Sequence, residues 1–281
     1  MSKIFLDIPA ANSVFADSRV AILPVPFEAT VTYGKGTKKG PPAILSASQK
    51  VELYDQELDK EPYKIGVATL PILKGNIRNI QPKIESEISI LLDKGKFPIM
   101  LGGEHSISVG AVKACKNKYA DLSVLQLDAH ADLREDYNGS KFSHACVMRR
   151  VREICPAVAA GIRSLSQEEM DFARGSGQIK KIFWADRLDI EKILAGLSSH
   201  VYITVDIDVF DPAEVPATGT PEPGGLNWYK VLEILKVVFR SKKVVGCDLV
   251  ELAPIKGQHA SEFLAAKLVY KLIGYYSTLQ G

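Results

Sequence analysis

SVLQLDAHAD, residues 123–132, is the stretch whose reading decides the fold of this 281-residue chain. A short run that is mainly apolar from Ser123 to Leu127 stops abruptly at Asp128-Ala129-His130-Ala131-Asp132. The run does not alternate between apolar and polar residues, so it reads as a strand covered on both faces, as in a parallel sheet. In such sheets ligands bind beyond the carboxyl ends of the strands, which is where the two aspartates and the histidine fall.

Working outward, runs of the same kind recur at 20–25, 65–70, 97–101, 123–128, 158–162, 181–184, 201–206 and 244–250. Helical patterns lie between or after them at 82–94, 188–197, 226–239 and 261–275. The first places Ile84, Ile88, Leu91 and Leu92 on one face and stops at Gly95, a residue suited to the left-handed turn that ends a helix. Strands alternating with helices imply right-handed crossovers. The expected architecture is a single three-layer α/β/α domain over 1–281 with a mainly parallel sheet of about eight strands. No internal repeat, low-complexity tract or linker-like shift divides the chain.

Composition narrows the function. Thirty-five Lys+Arg against 33 Asp+Glu is a balance that argues against a nucleic acid partner. Lys35, Lys38 and Lys39 read as a solvated loop. No run approaches the roughly 18 apolar residues of a membrane span, and the stretch MSKIFLDIPAANS lacks a signal-peptide core. The four cysteines form no CxxC pair and read as reduced thiols. A cytoplasmic location is expected.

Three strand ends carry the chemistry. The run at 97–101 enters Gly102-Gly103-Glu104-His105-Ser106, and the run at 201–205 enters Asp206-Ile207-Asp208. If these segments stay extended, residues two apart share a face, so that Asp128, His130 and Asp132 converge, as do Asp206 and Asp208. With His105 this makes four carboxylates and two imidazoles at one sheet edge. So many buried carboxylates raise one another's pKa unless a cation lies between them. Six ligands exceed the needs of one tetrahedral zinc and suit two ions; oxygen ligands with some imidazole and no thiolate favour manganese or a similar ion. Taken singly, a DxD pair reads as solvated or capping residues, and GGEHS as a turn with Ser106 as helix N-cap. Their joint occurrence favours metal.

These segments, with Val205–Gly225 (VDIDVFDPAEVPATGTPEPGG), Pro24–Leu45, Ser143-His144 and Asp248-Leu249-Val250-Glu251, resemble the ureohydrolases, the family of arginases, agmatinases and related guanidino hydrolases. The resemblance implies one parallel sheet of about eight strands. It also implies one manganese ion on His105, Asp128, Asp132 and Asp206 and a second on Asp128, His130, Asp206 and Asp208. His144 matches the proton-shuttle histidine, with Asp132 as its relay partner, and Glu251 matches the acid that holds the guanidinium. The implied partner is a small cationic guanidino substrate, and the implied assembly is a homo-oligomer, a trimer or hexamer. Glu104 stands where the family often has Asp, beside a ligand; Ala217 stands where Gly is usual; and the acid that commonly follows Glu251 is missing from LAPIKGQHASEF. Leu133-Arg134 after Asp132 resembles agmatinases rather than arginases, which makes agmatine the first-choice substrate. Arg134 leaves 4-guanidinobutyrate as the runner-up, with arginine behind it. A two-metal phosphoesterase and a non-enzymatic polyamine-binding protein are the other classes. Cys146 near His144 reads as a small buried apolar residue, and His200 and His259 as incidental.

Overall fold

A computed structural model describes residues 4–280. The first three residues of the MSKIFLDIPAANS stretch, and Gly281 at the end of the expected domain, therefore lie outside the described residues. Along the chain run β1 (Val20–Val25), α1 (Gly40–Ser48), β2 (Val67–Thr69), α2 (Ile80–Asp93), β3 (Phe97–Gly102), α3 (Ser108–Lys118), β4 (Leu122–Leu127), α4 (Val147–Arg152), β5 (Ala157–Ile162), α5 (Gln167–Gly175), β6 (Ile182–Trp184), α6 (Ile190–Gly196), β7 (His200–Asp206), α7 (Trp228–Ser241), β8 (Lys243–Val250) and α8 (Ala260–Leu279).

The strands form one eight-stranded sheet in the order β2-β1-β3-β8-β7-β4-β5-β6, with every pairing parallel. Both faces are covered, which is why the runs read as continuous. Val201, Ile203 and Val205 of β7 point into a core shared with α1, α6, α7 and α8. Tyr202, between them, points into the opposite core with α2, α3 and α4. Each expected strand is present, with ends shifted by up to two residues. The helical patterns at 82–94, 188–197, 226–239 and 261–275 correspond to α2, α6, α7 and α8.

Winding direction places the site. The chain builds β1 to β3 on one side, jumps to build β4 to β6 on the other, and returns to insert β7 and β8 between β4 and β3. The four central strands, β3, β8, β7 and β4, thus end side by side at the switch point where an open α/β sheet binds its ligand. His105, Glu251, Asp206 and Asp128 follow or close those four strands. Gly103 makes the crowding possible: a Cβ there would lie 1.9 Å from the carbonyl oxygen of Phe27.

Candidate metal centre

The six expected ligands converge, though not by the expected route. Residues 128–132 are not extended strand. β4 ends at Leu127, and Asp132 adopts a left-handed backbone with φ of 54°. Its carbonyl accepts the Met148 and Arg149 N–H groups at 3.0 and 3.1 Å, so the α4 end holds the unusual conformation in place. Asp206 and Asp208 likewise meet through a tight turn at Ile207–Val209, in which the Asp208 N–H donates to Asp206 Oδ1 at 3.0 Å. Turns bring the donors together where an extended segment would have spread them along the sheet edge. Ser106 caps no helix; its hydroxyl donates to Glu104 Oε1 at 2.6 Å.

His105 Nδ1 is the centre of the arrangement. It lies 3.2 Å from an oxygen of Asp128, 3.2 Å from Asp132 and 3.3 Å from Asp206. It is buried and has no hydrogen-bond partner among the described residues. Its other nitrogen, Nε2, is 2.8 Å from Thr204 Oγ1, whose hydroxyl donates to Asp248 Oδ1 at 2.6 Å. Because the Thr204 proton is committed to the carboxylate, Nε2 carries one imidazole proton, and in the neutral ring Nδ1 is the nitrogen whose lone pair is aimed into the carboxylate cluster. Beside it His130 Nδ1 lies 2.9 Å from Asp208 Oδ2 and 3.8 Å from Asp128 Oδ1. His105, Asp128 and Asp132 form one cluster able to hold an ion, and Asp128, His130 and Asp208 another, sharing Asp128. An orphaned nitrogen facing carboxylates, with imidazole and oxygen donors throughout, fits divalent cations.

Electrostatics points the same way. Burial, together with the neighbouring carboxylates, pushes Asp128 and Asp206 above the ordinary range. Burial opposes charge on His130, but the hydrogen bond and charge of Asp208 outweigh it and carry the imidazole up to about 11. His105 is raised in the same way by Asp128, Asp132 and Asp206. A divalent ion has to replace these protons. At pH 7, below the raised histidine values, ion uptake is therefore expected to release protons, and affinity to weaken as pH falls. Calorimetric titration of Mn2+ in two buffers of different ionisation enthalpy measures this release; no difference between the buffers would contradict it.

His130, Asp132, Asp206 and Asp208 of the cluster line a cavity of about 310 Å³, together with His144, Glu251, Thr30, Thr32, Arg134 and Glu222. Glu251 has a left-handed backbone, φ 63°, and its Oε1 accepts the His105 N–H at 2.6 Å. Burial raises its carboxyl well above the usual range. Burial also lowers the His144 pKa, favouring the neutral imidazole. Arg134 Nε lies 3.9 Å from Glu169, and its guanidinium sits over the Tyr137 ring. Cys146 is buried, while His200 and His259 pair with Asp121 and Glu262 outside the cavity.

The matching model for the family described as the arginase family spans residues 18–274. The chain belongs to the arginase family. It is 40% identical to N(1)-aminopropylagmatine ureohydrolase of Synechocystis sp., over 99% of this chain and 95% of the other. It is 38% identical to an agmatinase of Bacillus cereus, over 90% of this chain and 89% of that one. The structure of agmatine ureohydrolase of Thermoplasma volcanium superposes with a TM-score of 0.85 at 32% identity, covering 97% of this chain and 94% of that one. As an agmatinase-like ureohydrolase of the arginase family, the chain hydrolyses a C–N bond of a linear amidine, which sets aside the phosphoesterase and binding-protein alternatives.

The structure adds site residues that carried no role in the sequence reading. Thr204 and Asp248 orient His105. Arg163 donates to the carbonyls of Gly161, Asp208, Val209, Phe210, Glu222 and Pro223, pinning the Asp208 turn to the loop that carries Glu222. A threonine inside an apolar strand, and an arginine just past one, are the signals that mark them.

Proposed function

We propose that this chain hydrolyses agmatine to putrescine and urea with two Mn2+ ions. His105, Asp128, Asp132 and Asp206 hold one ion, and Asp128, His130, Asp206 and Asp208 the other. The observation that carries the reading is the buried His105 Nδ1 facing three carboxylates, two of which, Asp132 and Asp206, line a cavity that Glu251 also lines. When bound, two such ions supply a water acidic enough to act as hydroxide near neutral pH. Glu251 pairs with the guanidinium and orients its carbon. Asp132 and His144 pass a proton to the leaving amine, a task suited to an imidazole, which can both accept and donate a proton.

Glu222 supports a cationic tail. Its carboxylate lies on the cavity wall, held by the Ser164 hydroxyl at 2.9 Å, and its nearest charged partner is His130, 3.8 Å away. Once His130 is a neutral ligand, that negative charge is available to an ammonium. The Arg134 charge is shared with Glu169, which leaves it poorly placed for the carboxylate of 4-guanidinobutyrate. Glu222→Gln is expected to raise the KM for agmatine about tenfold, the scale of one charged hydrogen bond, with little change in kcat. An unchanged KM would remove Glu222 from the account.

N1-aminopropylagmatine, with the same guanidinium head and a longer cationic tail, is the second reading. It is favoured by the names of the relatives from Synechocystis and Thermus thermophilus. Urea release by manganese-loaded protein from agmatine, N1-aminopropylagmatine, arginine and 4-guanidinobutyrate tests both. Urea from none of the four would overturn the proposal.

A further inference from the structure

His144 is tied to the protein by three contacts from the loop after β1. Its Nδ1 lies 3.0 Å from Thr30 Oγ1, its Nε2 lies 2.8 Å from Thr32 Oγ1, and its backbone N–H donates to Thr30 Oγ1 at 3.2 Å. Behind Thr30 stands Glu104, nearly fully buried. One Glu104 oxygen, Oε2, accepts the N–H groups of Ala29 and Thr30 at 2.5 and 2.6 Å. The other, Oε1, accepts the hydroxyls of Thr30 and Ser106 at 2.8 and 2.6 Å. Four donors therefore converge on one carboxylate.

A hydroxyl has one proton to give and two lone pairs to receive. The Thr30 proton goes to Glu104, so both lone pairs face His144, one toward the backbone N–H and one toward Nδ1. Nδ1 must then carry the imidazole proton. The same logic runs from Asp248 through Thr204 to His105, where it exposes Nδ1 to the ligand carboxylates. At His144 the chain enters from the opposite nitrogen and leaves Nε2 as the basic atom, facing Thr32 on the cavity wall.

We propose that Glu104, acting through Thr30, is a positioning residue that fixes the tautomer of His144 so that Nε2 is the atom which takes up and delivers the proton. This rests on the proposed relay role of His144. Glutamate reaches the 29–30 loop from its place beside His105, so three of its four hydrogen bonds come from that loop and the fourth from Ser106.

Glu104→Gln reverses the chain. The two backbone N–H groups select the amide oxygen, so the amide NH2 faces Thr30 and donates to it. The freed Thr30 proton then turns to Nδ1, and the proton of neutral His144 moves to Nε2.

Solid-state 15N spectra of the full chain with labelled histidine, equilibrated with diamagnetic Mg2+, distinguish the two tautomers. The His144 signals are identified by their loss in His144→Asn. Wild type is expected to show protonated Nδ1, and Glu104→Gln protonated Nε2. Thr30→Val removes the acceptor and is expected to show both forms, while Thr30→Ser restores the wild-type form; this pair decides the question if the Glu104 variant does not fold. Alongside, kcat of folded Glu104→Gln is expected to fall about 10²-fold, within the range of general acid–base contributions, with the agmatine KM changed less than about threefold. Protonated Nε2 in wild type, or a Thr30→Val spectrum identical to wild type, would overturn the proposal. The spectra need no turnover, so an inactive wild type with the expected tautomers would refute the proposed reaction and leave the tautomer assignment standing.

Discussion

Asp128→Asn is expected to abolish urea release and to strip the protein of tightly held manganese. Asp128 is fully buried, belongs to both ligand clusters and lies 3.2 Å from the His105 nitrogen. Both of its oxygens are already organised by protein donors, with Gln126 Nε2 at 2.8 Å from Oδ2 and the His130 N–H at 2.6 Å from Oδ1. An amide keeps the volume but loses the charge, and its NH2 must face either a donor or a cation. Outer-shell partners of a metal cost about 10–100-fold in affinity when removed, so a shared ligand is expected to cost more than about 10²-fold. Metal content after dialysis and urea release together check this; two ions retained with full activity would sink the ligand assignment.

The second large effect is expected at Glu251. Glu251→Gln keeps an oxygen to accept the His105 N–H while removing the charge proposed to pair with the guanidinium. Truncating one partner of a desolvated charge pair costs about 2–5 kcal/mol, so kcat/KM for agmatine is expected to fall on the order of 10³-fold. Metal content is expected to stay at the wild-type level, which separates this variant from Asp128→Asn. Equal loss of metal in both would mean that Glu251 supports the ion cluster and does not serve the substrate.

The strands were legible because both faces of the sheet are covered, leaving continuous apolar runs such as Val20–Val25. The helices were less so. α1 opens on Gly40-Pro41-Pro42, which by composition resembles a turn. α3 carries Gly110, where a Cβ would meet the Gln81 carbonyl at 2.6 Å, so a packing demand overrides helix propensity there. α5 did announce itself: Ser166 and Glu169 form a capping box, a pattern present in the sequence but left unread. In the site, the set of candidate donors was legible because acids and histidines cluster after apolar runs. Their geometry was not, since the left-handed turn at Asp132 depends on the distant end of α4. Nor did any spacing rule connect Thr30 to Glu104 and His144, residues brought together only by sheet order.

That order also has a consequence for biosynthesis. β7 and β8, the last strands to be made, occupy the middle of the sheet, between β4 and β3. Until they emerge, the β2-β1-β3 and β4-β5-β6 portions have no shared ladder, and β3 and β4 each present an unpaired edge. During synthesis, closing both edges therefore waits for these two strands, which bring Asp206, Asp208 and Glu251 to the ends of β3 and β4. Ribosome-stalled or C-terminally truncated chains would be sticky intermediates, open to pairing with a second copy at those edges. By the same geometry, His105 after β3 and Asp128 after β4 come together only once the sheet is complete.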